Sequence, residues 1–203
     1  MLENATPKTK HPGGRPPEFD RSEVLTAALM TFWTKGFKAT TVGDLETATG
    51  LDRSSLYNAF GNKTGLYEAA GELYLAMSGE QLFSVLHDGT EGVEDVLRFI
   101  DTLSTSYRAG QPRGCFVVND MGSVEEYEAT HRYFEVLGTG FSAALSRAAD
   151  LGEMHPGSVD QRAQFLTAAF IGINLTHRNR ADAEIAHTMM DGVRTEVVGW
   201  LDA

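Results

Sequence analysis

TTVGDLETATGLDRSSLYNAFGNK, residues 40–63, reads as two short helices joined by a tight glycine turn, with a third helix beginning just after. Thr41 is placed to N-cap the first, and Val42, Leu45 and Ala48 then fall roughly on one face. Gly50 supplies the permissive backbone for a sharp reversal. Leu51 fills the corner, and Asp52 is a good N-cap for the next segment. There Leu56 and Phe60, at i and i+4, point inward, so Arg53, Ser54, Ser55 and Asn58 mostly face out. A glycine turn followed by a helix bearing small polar residues and one arginine is the helix-turn-helix pattern, whose second helix enters the DNA major groove. Taken alone, the stretch also fits an ordinary helical hairpin with a polar face.

Its outward side chains suit the groove. Arg53 is the only long hydrogen-bonding side chain on the front of the second helix, and arginine to guanine O6 and N7 is the commonest specific base contact. Ser54, Ser55 and Asn58 are of a size to reach bases or phosphates. Thr40 and Thr41 stand where a hydroxyl and a helix start hold a phosphate, although Thr41 also suits a purely capping role. Lys63 opens a helix whose amides also favour anions.

The flanks decide between the two readings. GRPPEFDRSEVLTAALMTFWTKGFKATTV, from Gly14, and LDRSSLYNAFGNKTGLYEAA, from Leu51, combine Gly-Arg-Pro, Lys-Gly-Phe, a threonine pair, Leu-Tyr-x-x-Phe and Asn-Lys-x-x-Leu. With these, the chain from Gly14 to Leu75 resembles the TetR family of transcriptional repressors. The resemblance implies a homodimer on a palindromic double-stranded DNA operator. A small-molecule inducer in the body would release it by shifting the fourth helix and the spacing of the two reading helices. It also implies phosphate contacts from Tyr57 and Lys63, and a DNA contact from Arg15 in its Gly-Arg-Pro. Ala59 departs from the His or Tyr usual there, which removes one expected phosphate contact. A DNA-binding protein that answers to no ligand is the alternative within the same resemblance.

Charge divides the chain the same way. The whole carries −11, yet residues 1–70 hold eight basic and eight acidic side chains, and no lysine follows Lys63. All the excess acid lies in the later part, which would be repelled by DNA and face away from it. A single cysteine, Cys115, excludes an intrachain disulfide framework and a cysteine-rich zinc site. The polar start MLENATPKTKHPGG lacks the apolar core of a signal peptide, and the best apolar run, FLTAAFIGINL, is too short for a bilayer. A cytoplasmic protein with no membrane partner is expected.

The pattern predicts an all-α chain of about nine helices. Residues 1–18 read as a flexible basic arm, 19–64 as a helix-turn-helix DNA-binding domain, and 65–203 as a helical ligand-binding and dimerisation domain. Asp20 and Glu23 form a capping-box signature for the first helix, with Phe19 and Val24 as a hydrophobic staple. Gly36 ends that helix. Further helices are predicted over 63–86, 93–107, 116–121, 124–151, 159–175 and 182–201, with Phe116-Val117-Val118 the one stretch that could pass for a strand.

Other groupings are weaker. Glu128–His131 and Glu184–His187 are both Glu-x-x-His, the ligand pattern of di-iron bundles and the basis of a metalloenzyme reading. The second pair sits at the polar start of its helix, so solvated faces are favoured and no metal, cofactor or catalytic residue is expected. Gly138-Thr-Gly140 imitates a dinucleotide fingerprint but lies within a helix, where small residues instead allow close packing. Phe83, Leu86, Tyr107, Cys115, Phe116, Met121, Tyr127, His131 and Phe134 are the candidates for a ligand cavity. Phe165, Leu166, Ala169, Phe170 and Ile173 form an apolar surface expected at a two-fold dimer interface. Cys115 reads either as a small space-filling hydrophobe or as a thiol sensor, the latter echoing an Arg-Gly-Cys segment in one branch of the resembled family.

Overall fold

The structure, a computed structural model, describes residues 19–109, 114–121, 128–179 and 183–201. Among these residues there is no strand, and no helix is long and apolar enough to cross a membrane. The helices are α1 (Arg21–Lys35), α2 (Val42–Thr49), α3 (Arg53–Phe60), α4 (Lys63–Ser78), α5 (Ser84–Asp88), α6 (Val93–Ala109), α7 (Phe116–Asn119), α8 (Glu128–Asp150), α9 (Val159–Arg178) and α10 (Ala183–Gly199).

Local chemistry sets the ends of the first four. The Asp20 carboxylate accepts the Ser22 and Glu23 amides at the start of α1, and Asp52 and Asn62 accept those of Ser55 and Gly65. The reciprocal capping box lies elsewhere than expected: it is Thr41 with Asp44, each side chain accepting the other's backbone N–H. Gly50 closes α2 in the left-handed region, with φ of 71°.

Two expectations need correcting. The helix predicted over 63–86 is interrupted by a π-helical turn, Gly79–Phe83, before α5 carries it on. Ala48 is exposed, because six residues is about a third of a turn short of two turns, so it rotates away from Val42. Phe116 to Asn119 form a short helix where one is expected over 116–121.

α1 packs on α2 and α4, while α9 lies between α8 and α10, and α6 crosses to α10. One continuous cluster of buried side chains runs from Val24 to Trp200 through both groups of helices. Its junction is aromatic: Tyr67 of α4 lies 5.0 Å from Phe32, 4.9 Å from Phe37 and 5.0 Å from Phe116, centroid to centroid. Deeper in the body Phe99 of α6 meets Phe141 of α8 and Phe170 of α9 edge-on, at 5.3 and 5.0 Å. Gly140 belongs to this packing and to no nucleotide loop: a Cβ there would sit 3.1 Å from Leu86 Cβ, so its bareness lets α8 close on α5.

Asp95 on α6 is fully buried and ion-paired to Arg147 of α8 at 3.0 Å. Arg147 also donates to the carbonyls of Leu86 (2.8 Å) and His87 (3.2 Å). It thus satisfies the open C-terminal end of α5 while neutralising the carboxylate.

Candidate nucleic-acid interface and the cavity behind it

The outward face of α3 is set by what its inward face buries. Leu56 and Phe60 go into the core, which leaves Arg53, Ser54 and Asn58 exposed and Ser55 and Tyr57 half-buried. The Arg53 guanidinium stands 5.2 Å above the Tyr57 ring, and its own amide donates to Glu46 Oε1 at 2.7 Å. That bond ties the start of α3 to α2, so the arginine is carried on a fixed two-helix unit.

The remaining predicted contacts divide. Thr41 is exposed but its hydroxyl is committed to the α2 capping box. Thr40 is 1% exposed and donates to the Gly36 carbonyl, so its hydroxyl cannot reach a phosphate, contrary to expectation. A threonine next to a cap reads alike from sequence whether it turns in or out. Lys63 is half-buried with its Nζ 4.5 Å from the Phe37 ring centroid, and burial lowers its pKa against the opposing pull of Asp120. Lys35 is bonded to Asp44 at 2.6 Å. Arg15 lies outside the described residues.

Directly behind this unit sits Asp120, 5% exposed and just beyond α7. Its Oδ2 accepts the Phe37 amide at 2.8 Å and the Tyr67 hydroxyl at 3.1 Å. Gly36, at φ 81°, has no side chain to obstruct it: a Cβ would lie 3.3 Å from Asp120 Oδ1. The turn between α1 and α2 is therefore held by a carboxylate from the body. Nothing in the local sequence around Asp120 signals this partner 83 residues away from Phe37.

The body contains a cavity of about 250 Å³ between α1, α4, the π-helical turn, α6, α8 and α9. Of the predicted cavity residues, Phe83 and Tyr107 line it. Leu86, Cys115 and Phe116 are buried in the surrounding core and not on its wall. Met121 and His131 point to solvent, and Phe134 lines a shallow groove between α8 and α9 instead. Tyr127 is outside the described residues. The wall that sequence reading missed is Trp33, Tyr74, Phe99, Tyr133 and Asn174. Trp33 falls at helical spacing with the buried Ala28, Leu29 and Phe32 of α1, and spacing cannot tell a wall from a filled interior.

Cys115 is 2% exposed, and the Tyr74 hydroxyl donates to its Sγ at 3.2 Å. Burial pushes the thiol's pKa up despite the stabilising bonds from Tyr74 and the α7 amides. That environment suits space-filling and disfavours the thiolate a sensor needs. Glu128, His131 and Glu184 are exposed, and among the described residues no three His, Cys, Asp or Glu side chains gather as a metal site.

The predicted interface residues also divide. Leu166, Phe170 and Ile173 are buried within the chain itself, since their i, i+4, i+7 stripe faces the aromatic core. Phe165 is exposed and Ala169 half-buried, on the opposite flank. The large apolar side chains left exposed at this end are Phe165 and Leu175 of α9, Ile185, Met189 and Val198 of α10, and Leu201 beyond it, each more than a third exposed.

Comparison with known proteins matches these features. Residues 24–70 match the family described as bacterial regulatory proteins, tetR family. Over 197 residues the chain is 30% identical to the HTH-type transcriptional repressor ComR of Escherichia coli (strain K12), covering 91% of each. It is 29% identical over 119 residues to the HTH-type transcriptional repressor BdcR of the same organism, covering 58% of this chain and 60% of that one. Among solved structures it is similar to a cysteine mutant of the TetR family transcriptional regulator CifR complexed with 26bp double-strand operator DNA. That likeness has a TM-score of 0.77 and 25% identity, covering 89% of this chain and 98% of the other. The reduced form of NemR from E. coli shares the fold with a TM-score of 0.73 at 19% identity, covering 87% and 94%.

Proposed function

This chain belongs to the tetR family of bacterial regulatory proteins, and from that premise we propose that it is a transcriptional repressor binding a palindromic operator as a homodimer. It is a regulator and not an enzyme. The observation that carries the reading is the exposed row Arg53, Ser54 and Asn58 on a helix whose other face is buried and whose start is bonded to α2. Two copies related by a two-fold axis would set two such helices in successive major grooves, about one helical turn apart. Residues 19–64 form the reading unit and 65–203 the body, joined through α4. The excess acid of the body keeps that end away from DNA, and the cytoplasm is where such a protein meets its operator.

Release follows from a small molecule in the body cavity. The molecule must fit the state in which the two reading helices are wrongly spaced better than the state that fits DNA, since equal affinity for both shifts nothing. The cavity is bounded by α1, which belongs to the reading unit, and by α4, which joins that unit to the body.

Selection from a random duplex library tests the DNA reading. A two-fold symmetric motif should emerge, with affinity falling steeply as salt rises. Enrichment of no motif, or of one without two-fold symmetry, would refute it.

A further inference from the structure

We infer that the body cavity takes an uncharged, largely aromatic molecule whose inward polar group is a hydrogen-bond acceptor received by the Trp33 indole N–H, so that the ligand touches the DNA-reading unit directly. The inference rests on the reading above, in which the cavity holds the inducer, and adds the class of molecule and its point of contact.

The described wall disfavours charge. Among the described residues lining the cavity, none has an ionised side chain. Its three tyrosines, Tyr74, Tyr107 and Tyr133, are held neutral, because burial pushes each hydroxyl's pKa well above its ordinary value. A carboxylate or ammonium entering here would lose its water and find no counter-charge, a cost no neutral hydrogen bond offsets.

Most of the polar groups in the wall are already committed. Tyr74 donates to Cys115 Sγ at 3.2 Å, and Tyr107 donates to Asn174 Oδ1 at 2.5 Å. The Asn174 amide in turn donates to the Phe170 carbonyl at 2.8 Å. Trp33 is the exception: its Nε1 is buried and has no hydrogen-bond partner among the described residues. Indole N–H is a donor only, so what satisfies it must be an acceptor. Its ring stands edge-on to Tyr74, centroids 5.1 Å apart, and Phe83 and Phe99 lie 6.1 Å apart across the wall. Such surfaces favour a flat π-system. At an interior packing density of about 0.74, the 250 Å³ available suits roughly the bulk of a bicyclic aromatic.

Part of the wall is open to solvent. Gln81, Thr102 and Ser106 line the cavity and are exposed, between the π-helical turn and α6. Trp33, on the cavity wall, belongs to α1, which packs against α2. A molecule accepting from Trp33 therefore bears on the reading unit without α4 as intermediary.

Three shape-matched probes test this: acetylnaphthalene (neutral, acceptor), isopropylnaphthalene (neutral, none) and naphthoate (charged). Calorimetry on the full chain should give the ketone at least about a ten-fold advantage over the hydrocarbon, with naphthoate weakest. In Trp33→Phe, which keeps the ring and loses the donor, ketone and hydrocarbon should come within about two-fold of each other. Ser106→Trp should block all three. A measurement free of any folding defect uses the wild type, whose two tryptophans give two indole N–H signals. The ketone should move the Trp33 signal, identified by its survival in Trp200→Phe, and the hydrocarbon should leave its hydrogen bonding unchanged. Binding of naphthoate as tight as the ketone, an undiminished ketone preference in Trp33→Phe, an unmoved Trp33 signal, or no binding by any probe overturns the inference. Operator affinity, read separately on a library-selected duplex, distinguishes the two readings. If the ketone binds in this pattern without weakening operator binding, the class stands and the inducer role of the cavity fails.

Discussion

Arg53 and Lys63 differ in what they can do for binding. A guanidinium on the open face of α3 is able to read a base edge, whereas an ammonium resting above the Phe37 ring can supply only charge. Arg53→Ala should cost about 1–3 kcal/mol on the preferred duplex and relax the choice of one base per half-site. Lys63→Ala should weaken all duplexes about equally and reduce the steepness of the salt dependence. Competition binding across single-base variants at several salt concentrations separates the two, and an unchanged base preference in Arg53→Ala would move the reading surface elsewhere. Cys115 gives a second expectation at this scale. Its thiol is buried and its pKa raised, so the nucleophilic thiolate is scarce near neutral pH and grows as pH rises. Alkylation of the folded protein at pH 8 should be at least about ten-fold slower than in denaturant. Equal rates would mean that the thiol is open and the sensor reading regains its footing. Residue identity alone left Cys115 undecided, because a cysteine after a glycine is compatible with either environment. Thr40 was misread for a similar reason: the direction of a hydroxyl depends on the carbonyl of Gly36, a partner that composition does not reveal.

Elements with strong local signals were legible. Asp52, Asn62 and Gly50 punctuate α2 to α4 because short polar side chains and a left-handed glycine satisfy helix ends within a few residues of themselves. The π-helical turn was not legible, since the apolar spacing of Leu82, Phe83 and Leu86 continues through it much as through an α-helix. The end of α5 near Gly89 was legible as a break after Leu86, but not that its open carbonyls are met by Arg147 from another helix. That tie sets the expected cost of breaking it. Arg147→Ala removes an ion-pair partner from the fully buried Asp95 and the donors from α5. Loss of one partner of a buried pair costs about 3–5 kcal/mol, and the lower end applies because Arg98 and the Glu91 amide still reach Asp95. Urea unfolding should therefore show a loss of about 3 kcal/mol. A loss below about 0.5 kcal/mol would mark the pair as a solvated surface contact.

At the scale of the whole molecule, the contrast between a neutral first 70 residues and an acidic remainder was readable from the order of charges alone. Which flank of α9 meets a second copy was not, because α9 is apolar on two sides. Its inner stripe, Leu166, Phe170 and Ile173, completes the aromatic core with Phe99 and Phe141. Its outer flank, with that of α10, leaves Phe165, Leu175, Ile185 and Met189 in water. Small residues lie between them: Gly172 faces the end of Met189, and a Cβ added there would stand 3.8 Å from its Cε. Apolar ridges separated by small residues let helices from two subunits approach closely, and a stable dimer buries about 1,600 Å² in all. The two stripes make opposite predictions. Phe165→Glu with Met189→Glu should leave the helical content and unfolding of the monomer intact while halving the mass seen by light scattering. Operator affinity should then fall steeply, because two half-sites are no longer held by one particle. Phe170→Ala should instead lower stability by about 3–5 kcal/mol through a core cavity, and leave the folded fraction dimeric. A double glutamate variant that stays dimeric at micromolar concentration would place the interface on another face, and the row of exposed apolar side chains on α9 and α10 would need a different partner.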